Sequence, residues 1–530
     1  MKIASAQINT TVGDISGNIE KIKAFYRKAE AQQVDLVVFP ELAICGYPPA
    51  GLLDRSDFVR ENLSALKSLT RMVGKTGMIV GYAEVNGKKT GKPLHNAAAL
   101  IQNKKIAAKR FKTLLPSYPG FDETRYFEPA QGNLPIKFGS TRLGLSICED
   151  AFDDESFWRR PRAEVDIVRR QAAAGVRFLL NIAACPYERD KVALRHKMMR
   201  RHAVSAKRPV ITCALVGSNN GLIFDGNSFA LDARGKLVLQ AKSFEEDLLV
   251  VSPDAEVPDA QWTEMDPIEE LYRALVLGIR DYVHKSGFED VILGLSGGID
   301  SALTCVLAVD ALGAQHVTGV SMPSMHSSDG SVADAEAITS SLGLRLYQIP
   351  INPIYDTVLA ALLEAFRDTP SGIAEQNIQA RIRGLLLMGL SNKAGGMLLA
   401  TGNRSEAAVG YCTLYGDTCG GLAPIGDVPK TTVYELARWI NREEERIPKS
   451  SIDKAPSAEL APDQKDQDDL PPYGVLDAIL AAHIDEGKEP AAIARSTNRK
   501  NAVAQVMDRM KRTEFKRRQA PPVLHTSPLH

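Results

Sequence analysis

The sequence of 530 residues is too long for a single hydrophobic core and predicts about two to four domains. Hydrophobic residues make up 44% of it and charged residues 24%, and the 64 basic and 64 acidic side chains balance, which argues against a nucleic-acid or membrane-surface partner. The seven cysteines include no CxxC pair and the nine histidines no HExxH motif, so neither a disulfide framework nor a zinc site is indicated.

The amino-terminal half of the chain alternates short strands with helices. A strand at 3–8, a helix at 18–31 and a strand at 34–40 predict one βαβ unit, because apolar residues recur at helical spacing between two short apolar runs. Two hairpins are predicted beyond it, with turns at Asn103-Lys104 and at 232–235. The first residues contain no apolar segment of signal-peptide length, and no stretch approaches 18 apolar residues, so we expect a cytoplasmic protein.

The pattern changes after residue 252. Residues 253–267 contain three prolines and five acidic residues and predict a linker between a domain at 1–252 and a domain at 268–530. The second domain alternates strands with longer helices, which predicts a parallel, doubly wound sheet with ligands at the carboxyl ends of its strands. Within it, the acidic and proline-rich residues 447–472 predict an exposed loop, and the basic run at 511–518 is typical of a solvated helix face.

A glycine-rich loop follows the first strand of the second domain. The strand at 291–295 continues into the string SGGIDS, residues 296–301, and then into a helix. Two glycines, a helix amino terminus and the hydroxyls of Ser296 and Ser301 suit a phosphate. The loop lacks the lysine of a Walker A motif, and Asp300 would repel phosphate unless Mg²⁺ bridges them. The alternative is an ordinary strand-to-helix turn with Asp300 as an acidic residue of the first helical turn.

The string SGGxDS after a strand resembles the loop of the PP-loop, or ATP pyrophosphatase, family, whose members bind the pyrophosphate end of ATP and adenylate an acid or amide. Further strings resemble the NAD synthetase members of this family and follow their order: MPSMHSSDGSVADA (322–335), QNIQARIRG (376–384), LLATGNRSEAAVGYCTLYGD (398–417), PIGDVPKT (424–431) and KAPSAELAPDQKDQDDLPPY (454–473). The resemblance implies a Rossmann-like domain of the adenine nucleotide alpha hydrolase type.

The same resemblance implies roles for individual residues. ATP would be bound by Gly294, Leu295, Ser296, Gly297, Gly298, Ile299, Asp300, Ser301, Thr401 and Lys430, the last of these close to the reacting phosphate. Deamido-NAD would be bound by Asn377, Glu406 and Lys516, and Mg²⁺ by Asp300 and Glu406. Glu406 therefore has two possible roles.

Three short strings in the first domain contain groups that together make an activated nucleophile. Glu41 follows a predicted strand in FPE, Lys112 follows a hairpin in KTLLP, and Cys148 ends a strand in CED. A thiol needs a base to form a thiolate, an amine leaving group needs an acid, and a cation stabilises an oxyanion. Each residue alone has a structural alternative: a capping carboxylate, a surface lysine and a buried core cysteine.

The contexts FPE, KxxLP and CED resemble the nitrilase, or carbon-nitrogen hydrolase, superfamily in their order, over about residues 1–250. The resemblance implies an αββα sandwich in which Glu41 is the general base, Lys112 the oxyanion-stabilising cation and Cys148 the nucleophile of an amide hydrolase. It also implies that Glu123, in GFDETRYF, positions groups around the thiol; the alternative for Glu123 is an ordinary acidic loop residue.

Glutamine is the substrate of the nitrilase-like domain that NAD synthetases contain, and Tyr118, Cys185 and Lys191 match the positions that hold it. One string departs from the family pattern. Where the family resembles NxSASP, residues 181–186 are NIAACP, so two hydroxyls are missing and a thiol, a weaker hydrogen-bonding group, stands at position 185. Glutamine affinity is therefore the property that we expect this departure to affect.

Together the resemblances cover nearly the whole chain and match the glutamine-dependent NAD synthetase family. They imply an α/β chain in which a glutaminase supplies ammonia to a synthetase that adenylates deamido-NAD (nicotinate adenine dinucleotide) with Mg-ATP and releases AMP, pyrophosphate and glutamate. The expected partners are these small molecules, with no nucleic acid, no membrane and a homo-oligomeric assembly. Two alternatives stay open: another PP-loop enzyme, such as a different amidotransferase or a tRNA-modifying enzyme, and a non-catalytic nucleotide-binding protein. The balanced charge argues against an RNA substrate.

Overall fold

A computed structural model describes residues 1–117, 121–152, 166–189, 191–253, 260–263 and 265–528. Its contacts divide into two compact units, Met1–Met265 and Asp266–Pro528. The division falls within the predicted linker at 253–267, of which residues 254–259 and 264 lie outside the described residues, so the exact domain limits stay a prediction. Among the described residues, no helix combines the length and the apolar composition needed to cross a membrane.

The first unit is built on two six-stranded sheets. Its strands are β1 (Ile3–Gln7), β2 (Leu36–Val38), β3 (Gly77–Val85), β4 (Leu94–Gln102), β5 (Lys105–Phe111), β6 (Ile136–Phe138), β7 (Thr141–Ile147), β8 (Phe178–Ala183), β9 (Val210–Ala214), β10 (Val216–Asn219), β11 (Leu222–Asp225), β12 (Phe229–Leu231), β13 (Leu237–Gln240) and β14 (Asp247–Val251). Its helices are α1 (Ile15–Ala31), α2 (Ser56–Met72), α3 (Glu123–Tyr126), α4 (Ile167–Ala173) and α5 (Lys191–Ala206), with 3₁₀ turns at Ala50–Asp54 and Cys148–Ala151.

The two sheets have the strand orders β14-β1-β2-β3-β4-β5 and β13-β12-β9-β8-β7-β6, and β10 and β11 pair with each other. Alternate side chains of both sheets, such as Ile79 in β3 and Leu180 in β8, form one buried cluster between them. The opposite faces pack against helices, since Val80 shares a cluster with residues of α1 and α2, and Leu179 shares one with residues of α4 and α5. This layering confirms the predicted αββα sandwich.

Local sequence signals account for the predicted elements of this unit. Asp14 begins α1 by accepting a hydrogen bond from the Gly17 amide at 2.9 Å, and apolar residues at helical spacing bury one face of the helix. The predicted turn between β4 and β5 is confirmed, with Asn103 and Lys104 at φ of 49° and 63°, the left-handed region that a two-residue hairpin loop requires. Helices α2 and α5 were not predicted.

The second unit contains a four-stranded parallel sheet in the order β17-β16-β15-β18. Its strands are β15 (Val291–Gly294), β16 (Val317–Ser321), β17 (Arg345–Gln348) and β18 (Met397–Leu399). Its helices are α6 (Pro267–Lys285), α7 (Ile299–Leu312), α8 (Asp329–Leu342), α9 (Asn352–Leu362), α10 (Ile373–Ala394), α11 (Arg404–Val409), α12 (Lys430–Ile440), α13 (Lys449–Asp453), α14 (Tyr473–Leu480), α15 (Pro490–Thr497), α16 (Lys500–Arg512) and α17 (Glu514–Arg517).

Helices cover both faces of this sheet, as predicted. Ile292, Val320 and Leu398 pack in a cluster with residues of α9 and α10, while the alternate residues of β15 are buried on the face that contacts α7. The strand order reverses at β15, because the chain runs from β15 through β16 to β17 and then returns to the other side of β15 with β18. The carboxyl end of β15 is therefore the topological switch point, where doubly wound sheets bind their ligands.

Two predictions made from composition need correction. Residues 447–472 are not simply an exposed loop, because they contain α13 and a 3₁₀ turn, and Ile447, Ser451 and Asp466 are buried. The basic run at 511–518 is a solvated helix face only in part. Lys516 donates to the carbonyl oxygens of Gly410 and Cys412 at 2.9 and 2.7 Å, because the short helix α17 packs against the segment that follows α11.

Candidate active sites

In the first unit the predicted catalytic groups lie at the ends of strands. Glu41 follows β2, Lys112 follows β5 and Cys148 follows β7. The Lys112 ammonium donates to Glu41 Oε1 at 2.7 Å and to Glu123 Oε1 at 2.9 Å. Glu41, Lys112, Glu123 and Cys148 are all buried, each residue with at most 5% of its surface exposed. The fold thus places a thiol, two carboxylates and a lysine in one buried site.

Two further residues organise the carboxylates and were not predicted from the sequence. Asn96, in β4, donates its side-chain amide hydrogens to Glu41 Oε1 at 2.7 Å and to Glu123 Oε2 at 3.3 Å. The hydroxyl of Tyr47 donates to Glu123 Oε1 at 2.7 Å. The available signal was the polar Asn96 directly before the apolar run AAALI of the strand LHNAAALIQ, because a buried amide requires hydrogen-bond partners.

The charges of this site are set by burial and by the neighbouring groups. Burial lowers the pKa of Lys112, but the carboxylates of Glu123 and Glu41 more than offset it, so its pKa lies well above the usual value and the side chain stays cationic. Burial raises the pKa of the Cys148 thiol well above its usual range; Glu41 adds to the effect and Lys112 opposes it. The thiol is therefore neutral in the free protein, so a reaction of Cys148 as a nucleophile would require a base to take its proton.

The backbone around Cys148 is held by buried polar contacts. Cys148 has a φ of 45°, a strained value for a residue that is not glycine, and Asn181 donates to its carbonyl oxygen at 3.3 Å. Asp150 accepts from the amides of Thr113 and Leu114 at 2.8 and 2.9 Å. Asp150, which the sequence reasoning missed although it belongs to the string CED, therefore ties the segment after Lys112 to the turn after Cys148.

The predicted glutamine-binding positions are only partly described. Tyr118 lies outside the described residues. Cys185 is buried and belongs to the same small cluster as Cys148, and Lys191 begins α5 with its ammonium 2.6 Å from Glu188 Oε1. Burial raises the pKa of the Cys185 thiol, and the nearby cation of Lys191 opposes the shift. The structure places Cys185 in one cluster with Cys148, and its contact with a substrate stays a prediction.

In the second unit the loop SGGIDS connects the carboxyl end of β15 to the start of α7. Gly297 has a φ of 77°, and a Cβ atom there would lie 2.3 Å from the carbonyl oxygen of Ser331, so only glycine fits. Ser301 Oγ donates to the carbonyl oxygen of Gly298 at 2.9 Å, which closes the loop at the helix amino terminus. The backbone amides of the loop and the hydroxyl of Ser296 are the kinds of donor expected of a phosphate site.

Next to this loop, one buried lysine is shared by two carboxylates. Lys430, which is 2% exposed, forms ion pairs with Asp300 and Glu406, the second at 3.2 Å. Asn403 donates to Asp300 Oδ1 at 3.0 Å. Burial lowers the pKa of Lys430, and Asp300 and Glu406 raise it more, so the pKa stands above the usual value and the ammonium stays charged.

A third carboxylate, Asp466, extends this network and was not predicted. Tyr473 donates to Asp466 Oδ2 at 2.7 Å and lies 3.4 Å from Glu406 Oε1. Burial raises the pKa of Glu406 to about 7, Lys430 opposes the shift and the neighbouring carboxylates add to it. Among the described residues, no three or more His, Cys, Asp or Glu side chains are arranged to hold a metal ion by themselves.

The predicted synthetase residues surround one cavity of about 530 Å³. Every predicted residue of this site except Gly297 lines it, including Thr401 at the end of β18, Asn377 on α10 and Lys516 on α17. Asn377 Oδ1 accepts from the hydroxyl of Thr413 at 2.8 Å. The fold therefore gathers groups that lie up to 222 positions apart in the chain, from 294 to 516, around one space.

Comparisons with known proteins agree with the division of the chain into two units. The carbon-nitrogen hydrolase family matches residues 2–260, and the NAD synthase family matches residues 271–520. A glutamine-dependent NAD(+) synthetase of Synechocystis sp. is 44% identical over 98% of this chain and 95% of its own length. One from Thermotoga maritima is 38% identical, again over 98% of this chain and 95% of its own.

A solved structure extends the similarity to three dimensions. The glutamine-dependent NAD+ synthetase from Acinetobacter baumannii, in complex with adenosine diphosphate, superimposes with a TM-score of 0.80 at 36% identity and covers 98% of this chain and 94% of its own. The similarity extends over both units rather than over one of them. The chain therefore belongs to the glutamine-dependent NAD(+) synthetase family of carbon-nitrogen ligases.

Proposed function

We propose that this protein converts deamido-NAD to NAD with ammonia that it releases from glutamine, and that it splits ATP to AMP and pyrophosphate in doing so. One observation carries the proposal. The chain holds both polar sets that the two half-reactions need. Glu41, Lys112 and Cys148 are buried together in the first unit, and in the second unit Lys430 pairs with Asp300 of the loop SGGIDS, which we call the phosphate loop.

In the first half-reaction the Cys148 sulfur attacks the side-chain amide carbon of glutamine. Glu41 takes the thiol proton as the carbon–sulfur bond forms, and Lys112 stabilises the oxyanion, which suits a lysine that stays cationic. The intermediate collapses when Glu41 returns the proton to the amide nitrogen and ammonia leaves. Water, deprotonated by Glu41, then hydrolyses the thioester and releases glutamate and the thiol.

Glu41 is held in the position that this role requires. Its Oε1 accepts from Lys112 and Asn96, both at 2.7 Å, and its Oε2 accepts from the amide of Ala184 at 3.0 Å. These three hydrogen bonds fix the orientation of the carboxylate before the substrate binds. Glu123 has a different role in this proposal: it shares the Lys112 ammonium and keeps the lysine oriented.

Glutamine is held in this proposal by Lys191 and Cys185, with Tyr118 from outside the described residues. Lys191 offers an ammonium for the substrate carboxylate, and its own partner Glu188, which precedes α5 in the chain, lies 2.6 Å away. Cys185 contributes a thiol where the family pattern has a hydroxyl, and a thiol donates a weaker hydrogen bond. We expect glutamine affinity, rather than chemistry on the bound substrate, to reflect this difference.

In the second half-reaction the carboxylate of deamido-NAD attacks the α-phosphorus of ATP and pyrophosphate leaves. The acyl-adenylate then reacts with ammonia, which forms the amide and expels AMP. The loop SGGIDS binds the phosphates through backbone amides and hydroxyls, and Lys430 balances negative charge beside them. Thr401 contacts ATP, and Asn377, Glu406 and Lys516 bind the dinucleotide in the same cavity.

The residues present fit Mg²⁺ as the partner of ATP. Magnesium in nucleotide sites is usually held by one or two carboxylates together with the phosphates, and Asp300 and Glu406 are two carboxylates that face one cavity beside the phosphate loop. The chemistry that bound Mg²⁺ supplies is neutralisation of charge on the phosphate oxygens. Lys430 holds the two carboxylates together by pairing with both.

The experiment that tests this function is product identification. The purified chain is mixed with glutamine, Mg-ATP and deamido-NAD, and we expect NAD, glutamate, AMP and pyrophosphate in equal amounts. Formation of ADP and orthophosphate in place of AMP and pyrophosphate, or absence of NAD, would overturn the proposal.

We also propose that the chain forms a homo-oligomer. Large apolar side chains directly after α9 and on α10 are exposed in the single chain, among them Leu363 at 73%, Ile373 at 70% and Leu385 at 67%. Their burial on association would stabilise an oligomer, because removal of apolar surface from water is favourable. Light scattering coupled to gel filtration should give a mass that is a multiple of 57.6 kDa, and a monomer would contradict the proposal.

A further inference from the structure

Beside the phosphate loop, three side chains form a site for an anion. Ser328 caps α8, Ser331 lies in the first turn of that helix, and Lys454 follows α13. The Lys454 ammonium donates to the hydroxyl oxygens of Ser328, at 3.2 Å, and of Ser331. We call Ser328, Ser331 and Lys454 the anion cradle, because a cation, two hydroxyls and the amides of a helix start converge there.

The carboxylate of Glu459 fills this cradle. Its Oε1 accepts from Ser328 Oγ at 3.0 Å, from Ser331 Oγ at 2.8 Å and from Lys454 Nζ at 2.7 Å, and its Oε2 lies 3.3 Å from the amide of Ser328. Glu459 is itself held at a φ of 49°, which is unfavourable for a residue other than glycine. The backbone of Glu459 is therefore strained in the conformation that directs its carboxylate into the cradle.

Burial raises the pKa of the Glu459 carboxyl, but the hydrogen bonds from Lys454, Ser331 and Ser328 outweigh it, so the pKa is below the usual value and the occupant is an anion. The side chains of Lys454 and Glu459 keep 33% and 18% of their surface exposed. Solvent therefore reaches both the lysine of the cradle and the carboxylate that occupies it.

The cradle belongs to the same cavity as the phosphate loop. Ser331, Lys454 and Glu459 line that cavity together with Ser296 and Asp300. The backbone of Ser331 touches Gly297, whose Cβ position would lie 2.3 Å from the Ser331 carbonyl oxygen. Lys430, the other lysine near the loop, is already paired with Asp300 and Glu406. Lys454 is a further cation that lines this cavity, and its partner there is Glu459.

We propose that the anion cradle binds a phosphate group of the nucleotide or of the pyrophosphate product, and that Glu459 competes with this phosphate for Ser328, Ser331 and Lys454. The inference rests on the proposed function, since it assumes that ATP is split in this cavity. A phosphate presents the same kind of acceptor oxygens as a carboxylate and more negative charge, so it can displace Glu459. The competition weakens retention of pyrophosphate and so favours its release.

The test uses the full chain with ammonium as nitrogen donor and inorganic pyrophosphate as inhibitor. Glu459→Gln keeps the size of the side chain and removes its charge, so we expect pyrophosphate to inhibit roughly threefold or more tightly than in the wild type. Lys454→Met should weaken inhibition by a similar or larger factor. In the Lys454→Met background, Glu459→Gln should lose most of its effect, because both act through the same cradle.

Lys449→Met is the matched control, because Lys449 lies on neighbouring α13 with its side chain 79% exposed, and its inhibition constant should equal that of the wild type. The Michaelis constant for ATP, measured in parallel, separates the two phosphate sources: a change in both constants assigns the cradle to phosphates of bound ATP, and a change for pyrophosphate alone assigns it to the product.

The inference is overturned if pyrophosphate inhibits Glu459→Gln as weakly as the wild type, or more weakly. If that variant does not fold, Glu459→Ala and a thermal shift with added pyrophosphate replace it, with the same expected direction. Failure of the inference alone leaves AMP and pyrophosphate as products, whereas failure of the proposed function removes them. The two outcomes are therefore distinguishable.

Discussion

Replacement of Asn96 by alanine should impair glutamine hydrolysis without impairing the synthetase. The side-chain amide of Asn96 donates to two buried carboxylates, to Glu41 at 2.7 Å and to Glu123 at 3.3 Å. A hydrogen bond to a charged group contributes about 1.5–3 kcal/mol, so if the longer bond counts for less than the shorter one the loss is about 2–4 kcal/mol. At about 1.4 kcal/mol per tenfold, this corresponds to roughly a 30- to 1000-fold decrease in kcat/KM for glutamine.

The assay for Asn96→Ala compares NAD formation with glutamine and with ammonium in the same preparation. Asn62→Ala is a matched control, because Asn62 is also fully buried in this unit and donates to the carbonyl oxygen of Ala83 at 2.6 Å, and Ala83 is the cross-strand partner of Asn96. The control should lower the melting temperature and keep the specific activity of the folded fraction. Equal glutamine activity of Asn96→Ala and Asn62→Ala at a temperature where both are folded would refute the reasoning.

Three other substitutions test separate parts of the structure. Lys430→Met leaves Asp300 and Glu406 without their shared cation, so synthesis should fall by at least about a hundredfold with either nitrogen donor, while glutaminase activity persists; normal synthesis would remove Lys430 from the site. Cys185→Ser restores the stronger hydrogen-bonding group of the family pattern and should lower the KM for glutamine severalfold with little change in kcat. An unchanged KM would indicate that the side chain at this position does not contact glutamine. Burial lowers the pKa of His196 to about 3 from 6.5, so the unfolded chain binds the extra proton and stability is lost as pH falls from about 6.5 toward 3. His196→Phe has no imidazole to protonate and should not show this loss. As the pH falls through this range, the urea midpoint of the wild type should therefore fall relative to that of the variant. A constant difference between the two midpoints would contradict the lowered pKa of His196.

Local signals in the sequence were sufficient for most strands and for the phosphate loop. Strand β8 is the largely apolar run FLLNIA, which has the length of a buried strand. Helix α8 begins at Asp329 behind the cap Ser328 and ends where Gly343 takes a left-handed conformation, and both ends are signalled by these residues. The hairpin turn at Asn103-Lys104 is likewise encoded by the residues that form it.

The parts that sequence patterns did not predict depend on contacts between distant segments. Asn96 meets Glu41 only through the order and register of β2, β3 and β4, which no local pattern specifies. Glu459 lies 131 residues from Ser328, and the acidic, proline-rich composition around it indicated an exposed loop. Composition describes the average environment of a segment, whereas the contacts of Glu459 with Ser328 and Ser331 join this segment to the start of α8.

The predicted catalytic residues were found from family strings rather than from spacing. Glu41 and Lys112 are separated by 71 residues, and a lysine and a glutamate at that distance are not expected to meet. The structure brings them to 2.7 Å because the two strands that precede them, β2 and β5, belong to one sheet. Their chemical roles, in contrast to their positions, stay a prediction until substitutions test them.

The most direct test of the division of labour is Cys148→Ala, assayed for NAD formation with glutamine and with ammonium. Glutamine-dependent synthesis should fall by several orders of magnitude, as for other nucleophile deletions, because no thioester can form. Ammonium-dependent synthesis should persist near the wild-type rate, because ammonium supplies the same amine and the phosphate loop belongs to the other compact unit. Cys213→Ala, which changes another fully buried cysteine of the first unit, should retain both activities. Glutamine use by Cys148→Ala, or loss of the ammonium reaction in a variant that is folded by circular dichroism, would contradict the account.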